Sequence, residues 1–267
     1  MQSSGVRSST AKTKSTRAER PARRGVSAAA FALGALGEVG KIGKIGEIGE
    51  VGKIGKIGKI GLAAVVLLGA AAGARADGAG SSLPLGARAP ATVVHTRMKG
   101  VDGQAMSIAD VAGKSGKLGT LVVFTCNHCP FAKGWEQRIA ELGNGYARKG
   151  IGVILINAND PTAYPEDDYA EMQARSRKLA LEVPYVVDAT SEVARAFGAS
   201  VTPEAFLFDR SGKLAYHGAV DDNHADPAKV QKRYLRDALE AVVGGKTPAT
   251  SESKSIGCGI KFRKTAT

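Results

Sequence analysis

Two continuous apolar runs stand out along this chain. Thr120 to Thr125 reads TLVVFT, and Ile151 to Asn159 reads IGVILINAN. Runs of this length, without helical spacing and rich in Val and Ile, predict strands buried on both faces. Between and after them the pattern becomes mixed and longer-ranged. A helix is predicted over residues 130–149, behind Pro130. Another is predicted over residues 164–181, with acidic residues in its first turn, where the helix dipole favours them. A short strand at Val183–Asp188 follows, then a helix capped by Ser191 and ended after Phe197 by Gly198. Residues 204–218 read as a hairpin turning at Arg210-Ser211-Gly212, and Asp226 is placed to cap a last helix running to Val243. Ahead of the first run, Ala91–Met98 reads as extended, Asp102-Gly103 as a turn, and Ser107–Val111 as a short helix. Strand–helix–strand followed by a hairpin and a helix implies a mixed sheet covered on both faces, an α/β domain over residues 91–245 with a tail at 246–267.

The N-terminal part follows none of these rules. Residues 37–61 repeat a triplet of Gly, a charged residue, and Ile or Val. A period of three fits neither a strand nor a helix face, and Gly at every third position costs a helix about 1 kcal/mol each relative to Ala. The repeat reads as a low-complexity insertion without a packed fold. Around it lie the parts of a secretory signal: Arg20, Arg23 and Arg24, the apolar stretches Val26–Leu36 and Leu62–Gly73, and Ala74-Arg75-Ala76 as an A-x-A cleavage site. Arg23-Arg24 also suits the twin-arginine route. Residues 1–76 are thus expected to export the chain, to the periplasm, with cleavage after Ala76. Leu62–Gly73 falls short of the roughly 20 apolar residues that span a bilayer, so a membrane tether is expected only if the signal stays uncleaved. Residues 77–90, rich in Gly, Ala, Ser and Pro, read as a linker.

Charge sharpens this division. Residues 1–76 hold 13 Lys and Arg against 4 Asp and Glu, while the rest holds 24 against 21. The formal net charge of +12 is therefore an N-terminal property, and nucleic acid is not an expected partner.

Candidate chemistry concentrates in Cys126-Asn127-His128-Cys129-Pro130, where the first buried strand meets a helix. Haem attachment needs His directly after the second Cys, and Pro130 stands there. Structural zinc wants four ligands, and Cys258 is the one other cysteine. A bond across so short a loop restricts the unfolded chain little, so a purely structural disulfide contributes little. A redox pair explains more, because unpaired N–H groups at a helix start stabilise a thiolate and lower its pKa to about 3.5–7.5 in such motifs. The zinc clip and the structural disulfide stand as its competitors. Cys126 is placed to be the accessible nucleophile with a depressed pKa, Cys129 the more buried resolving thiol, and His128 a neighbouring cation or donor. No cofactor and no metal are expected. His217 and His224, with Asp221-Asp222-Asn223 between them, read as a solvated polar loop; Trp135 reads as packing, and Lys133 and Glu136 as exposed.

These motifs, with Val201-Thr202-Pro203 ahead of the hairpin, resemble the thioredoxin superfamily. The resemblance implies a thioredoxin-like three-layer sandwich with a mixed central sheet and an N-terminal extension. It also implies a cis Pro203 against the cysteine pair, with the Thr202 backbone receiving an extended thiol substrate. The Ala91–Val111 segment, with its Asp-Gly turn, looks more like the peroxiredoxin-like branch than minimal thioredoxin, and the segments FTCNHCPFAKGWEQRI, INANDPTAYPEDDY, FLFDRSGKLAYHGAVDDN and SIGCGIKF look more closely like bacterial thioredoxin-like redoxins. The implied activity is thiol–disulfide exchange with protein or small-molecule thiols and disulfides, coupled to a redox partner protein. A thiol-dependent peroxidase is the alternative, against which Val123 replaces the Thr or Ser of the peroxidase pattern and no Pro lies between Ala91 and Pro130. Position 120 is Thr where thioredoxin carries a buried Asp, so no proton acceptor is identifiable. A non-catalytic metal-binding or chaperone module is the reading from another class. Cys258, between Gly257 and Gly259, is a candidate third redox thiol if the tail folds back onto the pair.

Overall fold

The computed structural model describes residues 81–114 and 117–264; the expected export signal, its expected cleavage site and the triplet repeat lie outside them. The two apolar runs form the centre. Strands β3 (Gly119–Phe124) and β4 (Ile151–Asn157) pair in parallel from Gly119↔Ile151 to Phe124↔Ile156. Every residue in both is buried. Before them come β1 (Met98–Gly100), β2 (Ala105–Met106) and helix α1 (Ile108–Lys114); between them lies α2 (Pro130–Ala147). After them follow α3 (Tyr169–Lys178), β5 (Tyr185–Val187), α4 (Glu192–Phe197), β6 (Val201–Thr202), β7 (Glu204–Asp209), β8 (Leu214–Gly218), α5 (Tyr234–Val243) and β9 (Cys258–Gly259). The main sheet runs β2-β1-β5-β4-β3-β7-β8, and β6 pairs with β9 apart from it.

Alternation along the central strands explains the three layers. Leu121 and Val123 join one core with Trp135, Ile139 and Leu142 of α2 and Leu235 and Leu239 of α5. Val122 and Phe124 point the other way, into a core with Ile108 of α1 and Val193 and Phe197 of α4. Each large side chain buried this way contributes about 1.5–3 kcal/mol.

Several boundaries differ from the sequence expectation. Residues 91–95 form a turn, and extended structure starts only at Met98. The helix expected over 164–181 is broken: Pro165–Asp167 make one 3-10 turn, and Asp168, extended at φ −69° and ψ 166°, caps α3 by accepting from the Glu171 N–H. Ser191 does not cap α4 through its side chain. Its hydroxyl donates to the Ala158 carbonyl, and Asp188 accepts the Ala194 N–H instead. Asp226 caps the 3-10 turn Pro227–Lys229, and α5 starts only at Tyr234. Residues 81–90 are not a free linker, since Leu83 N–H donates to Phe197 and Gly86 N–H to Leu214. The tail is likewise held: Ser253 N–H donates to the His217 carbonyl, and Lys261 N–H to the Asn159 side chain. Among the described residues, no helix is long and apolar enough to cross a membrane.

Candidate active site

Parallel strands β3 and β4 end at the same edge of the sheet, and the cysteine pair sits on that edge. Cys126 follows β3, and Cys129 is the residue that caps α2, with Pro130 as its first helical residue. Pro is suited to that position because its missing N–H would have no helical partner there. Cys129 is fully buried, and Cys126 is 6% exposed. The order of burial matches the sequence reading; the open nucleophile it expected does not, because Cys126 lies under the Thr202 side chain.

The Thr202–Pro203 peptide is cis. Thr202 touches both sulfurs: its hydroxyl Oγ1 lies 2.9 Å from Cys126 Sγ, and its carbonyl oxygen lies 3.3 Å from Cys129 Sγ. Behind this loop is a buried Glu204–His217 contact. Glu204 accepts the Ser200 and Val201 N–H groups with one oxygen and lies 2.7 Å from His217 Nε2 with the other. His217 and Asp221 are therefore buried, not part of a solvated loop. Asp221 accepts the Trp135 indole N–H at 2.6 Å and pairs with Arg138, while His224 packs on Phe131 and Trp135. Trp135 is 1% exposed, in keeping with packing. Lys133 is exposed; Glu136 is half-buried and pairs with Arg175.

On the other side of the pair lies a polar network that the sequence reading missed. Asp167, 1% exposed, receives the Asn127 N–H at 2.6 Å, His128 Nδ1 at 2.5 Å, and the Asn159 and Asn157 amides at 3.1 and 3.3 Å. Tyr164 stacks on His128 with ring centroids 3.9 Å apart. Ligand atoms of Cys126, His128 and Asp167 all lie within 4.8 Å of one another. They could hold a metal ion only if Asp167 gave up donors it already accepts, and a structural zinc site would want a fourth ligand. Nothing in the run PEDD told Asp167 from its neighbours. The available signal was Asn157 and Asn159, polar residues ending an apolar strand parallel to the one that carries Cys126.

The tail closes the site. Thr202 pairs with Cys258 and Val201 with Gly259 in an antiparallel ladder. The Cys258 and Cys129 sulfurs are 2.7 Å apart, and the Cys258 N–H donates to Cys129 Sγ at 3.4 Å. A Cβ on Gly257 would collide with the Thr202 carbonyl, whereas one on Gly259 would meet only ordinary contact. The strand edge at Thr202, expected to stand open for substrate, is thus filled by the chain itself.

Comparison with known proteins agrees with this architecture. The AhpC/TSA family profile matches residues 85–217. A conserved uncharacterised protein from Geobacillus kaustophilus is 36% identical, with a TM-score of 0.62, over 68% of this chain and 94% of its own. A hypothetical protein from Sinorhizobium meliloti 1021 is 34% identical, with a TM-score of 0.61, over 69% of this chain and 98% of its own. The thiol-disulfide oxidoreductase ResA of Halalkalibacterium halodurans is 23% identical over 128 residues, 48% of this chain and 66% of that protein, so the match spans just under two thirds of its length. The chain belongs to the thioredoxin superfamily, as a redoxin.

Electrostatics treats this redoxin's two cysteines oppositely. Cys129 is lowered from 9.0 to about 4, first by the hydrogen bond from the Cys126 thiol, with Cys258 and the Ala132 N–H adding to it. Cys126 is pushed up, first because its proton is held by Cys129, then by burial, with the Asp167 carboxylate adding to the effect. The two shifts describe one negative charge shared by the pair. We place it on Cys129, where the donors of the helix start and the tail converge. This corrects the expectation of a depressed Cys126: in the tail-docked arrangement the donors face the other sulfur. Cys258 is pushed up to about 11, by burial and by the neighbouring Cys129.

Proposed function

We propose that this redoxin is a thiol–disulfide oxidoreductase that works through Cys126 and Cys129. The observation that carries the reading is the position of the pair: two sulfurs at a strand–helix junction, both against the Thr202-Pro203 loop. Cys126 is the sulfur nearer the surface and takes the substrate. As Cys126 attacks a substrate disulfide, its proton passes to the Cys129 thiolate, and one substrate thiolate leaves. Cys129 then loses that proton to the departing thiolate or to water and attacks Cys126 Sγ. This forms the Cys126–Cys129 disulfide and releases the second substrate thiol. One dithiol and one substrate disulfide become one protein disulfide and two substrate thiols. The reverse sequence oxidises a substrate dithiol.

Protein or small-molecule thiols and disulfides are the proposed substrates, with a redox partner protein closing the cycle. The N-terminal signal pattern supports export to the periplasm, and N-terminal sequencing of exported protein tests cleavage after Ala76. Exchange itself is tested with a dye-labelled peptide disulfide. Wild type is expected to turn it over, Cys126→Ser to be inactive, and Cys129→Ser to stop at a mixed disulfide on Cys126. A wild type without exchange, or a mixed disulfide on Cys129, overturns the reading. Peroxide consumption and metal retention, measured alongside, separate the peroxidase and metal-binding alternatives.

A further inference from the structure

The proposed exchange uses two cysteines, yet a third lies against the buried one. Cys258 comes from the far end of the domain, 129 residues after Cys129, and its sulfur lies 2.7 Å from Cys129 Sγ. Two sulfurs in simple contact sit well beyond that, while a disulfide measures about 2.05 Å. The contact is built rather than incidental. The Thr202↔Cys258 pairing fixes the backbone, and the Ile260 N–H donates to the Ser200 carbonyl at 2.9 Å. Beyond it, the Asp160 N–H donates to Lys261 at 2.7 Å, and the Arg263 N–H to the Ser191 hydroxyl at 2.9 Å. Gly257 allows the approach, since any side chain there would strike the Thr202 carbonyl. With the Ser253 N–H on the His217 carbonyl ahead of it, the tail is held on both sides of the residue whose sulfur reaches the site.

We propose that Cys258 is a third redox-active residue, and that it moves the protein disulfide inward from Cys126–Cys129 to Cys129–Cys258. This rests on the exchange reading above. After a substrate disulfide has been reduced, the protein holds a Cys126–Cys129 bond. The Cys258 thiol gives its proton to water, and its sulfur attacks Cys129 Sγ. The Cys129–Cys258 bond forms, the Cys126–Cys129 bond breaks, and Cys126 leaves as a thiolate that takes up a proton. One disulfide and one thiol are present before and after, so the step needs no outside oxidant or reductant. Closing a loop of 129 residues is ordinarily costly in chain entropy. Here the β6–β9 pairing has already brought its ends together. The consequence is a division of labour: the oxidising equivalent is stored beneath the tail, while Cys126 regains its thiol and can engage a second disulfide.

The test counts and places the remaining thiol. Reduced full-length protein is treated with one equivalent of a peptide disulfide, quenched in acid, tagged with maleimide, digested and mapped by mass spectrometry. The expected product carries a Cys129–Cys258 cross-link and a tag on Cys126, in excess of a tag on Cys258 by about tenfold or more. A Cys126–Cys129 cross-link with the tag on Cys258 overturns the relay and leaves the exchange reading standing. Protein that reduces no peptide overturns the exchange reading and takes the relay with it. Cys126→Ser, oxidised with diamide, tests the contact without substrate exchange: it is expected to lose both of its thiols to a Cys129–Cys258 bond. If those two thiols stay free under diamide, the sulfur contact is unreactive and the proposal fails.

Discussion

The two flanks of the cysteine pair differ in what they offer a sulfur. On the flank of Cys126 stands a buried carboxylate, Asp167, clothed in four donors. On the flank of Cys129 donors outnumber acceptors: the start of α2, the Cys258 N–H and the Cys258 thiol face it, against the single carbonyl of Thr202. Two identical side chains three positions apart are driven in opposite directions first by the proton they share, and these surroundings add to the split. A helix N-terminus alone would favour a thiolate at either cysteine. The shared proton splits them locally, and what decides which sulfur keeps the charge is long-range, because Asp167 and Cys258 come from distant parts of the chain.

The largest effect that would break this comparison is in the titration of the reduced protein. Cys129 is expected to be a thiolate across neutral pH and to protonate as pH falls toward about 4. The thiolate absorbance should vanish in Cys129→Ser and persist in Cys258→Ser with a higher midpoint. Because the folded pKa lies below the unfolded value of 9.0, the stabilisation is full above 9.0 and is lost as pH falls through about 4. Urea unfolding of reduced wild type against Cys129→Ser, run across that window, checks the sign. A thiolate that survives in Cys129→Ser at neutral pH would place the charge on Cys126 and reverse the comparison.

Asp167→Asn addresses the other flank. It keeps one acceptor and removes the charge, so Cys126 alkylation should reach its midpoint at lower pH, and stability should fall by about 1–3 kcal/mol as donors lose their partner. An unchanged Cys126 profile would mean that the carboxylate is structural only. Gly257→Ala sharpens the role of the tail. It should lift Cys258 away, raise the Cys129 pKa and expose Cys129 to alkylation, at a cost of about 1–3 kcal/mol read from urea unfolding. Asp226→Ala should do least. It caps a single 3-10 turn away from the sulfurs, so a stability change within about 0.5 kcal/mol and unaltered thiol titration are expected.

Much of the fold was legible in the sequence, for a physical reason. A strand buried on both faces must be apolar throughout, so TLVVFT and IGVILIN carry the central sheet in their composition alone. The hairpin at Arg210-Ser211-Gly212 was legible because Gly212, at φ +77°, stands where a side chain would be strained. Caps were less so. Ser191, Asp188 and Asp226 can all accept an N–H, and only the packed structure decides which helix each one serves. In the site, the cysteine pair announced itself by spacing, whereas Asp167 and Glu204 did not. Each is one acid among many, and its burial is decided by partners from other strands. The contact of Cys258 with Cys129 could be posed as a question from the Gly-Cys-Gly sequence, but the pairing that answers it lies in the Thr202 strand.

The indole of Trp135 gives this chemistry an optical signal. It is the one tryptophan in the chain, so the whole indole emission of the protein comes from a single buried ring. That ring lies six residues after Cys129 on α2, under two helical turns away, with its N–H on Asp221 and His224 against its side. Indole light collected from an unlabelled sample therefore reports on the core under α2, within two helical turns of Cys129, which lets redox cycling and unfolding be followed without a dye.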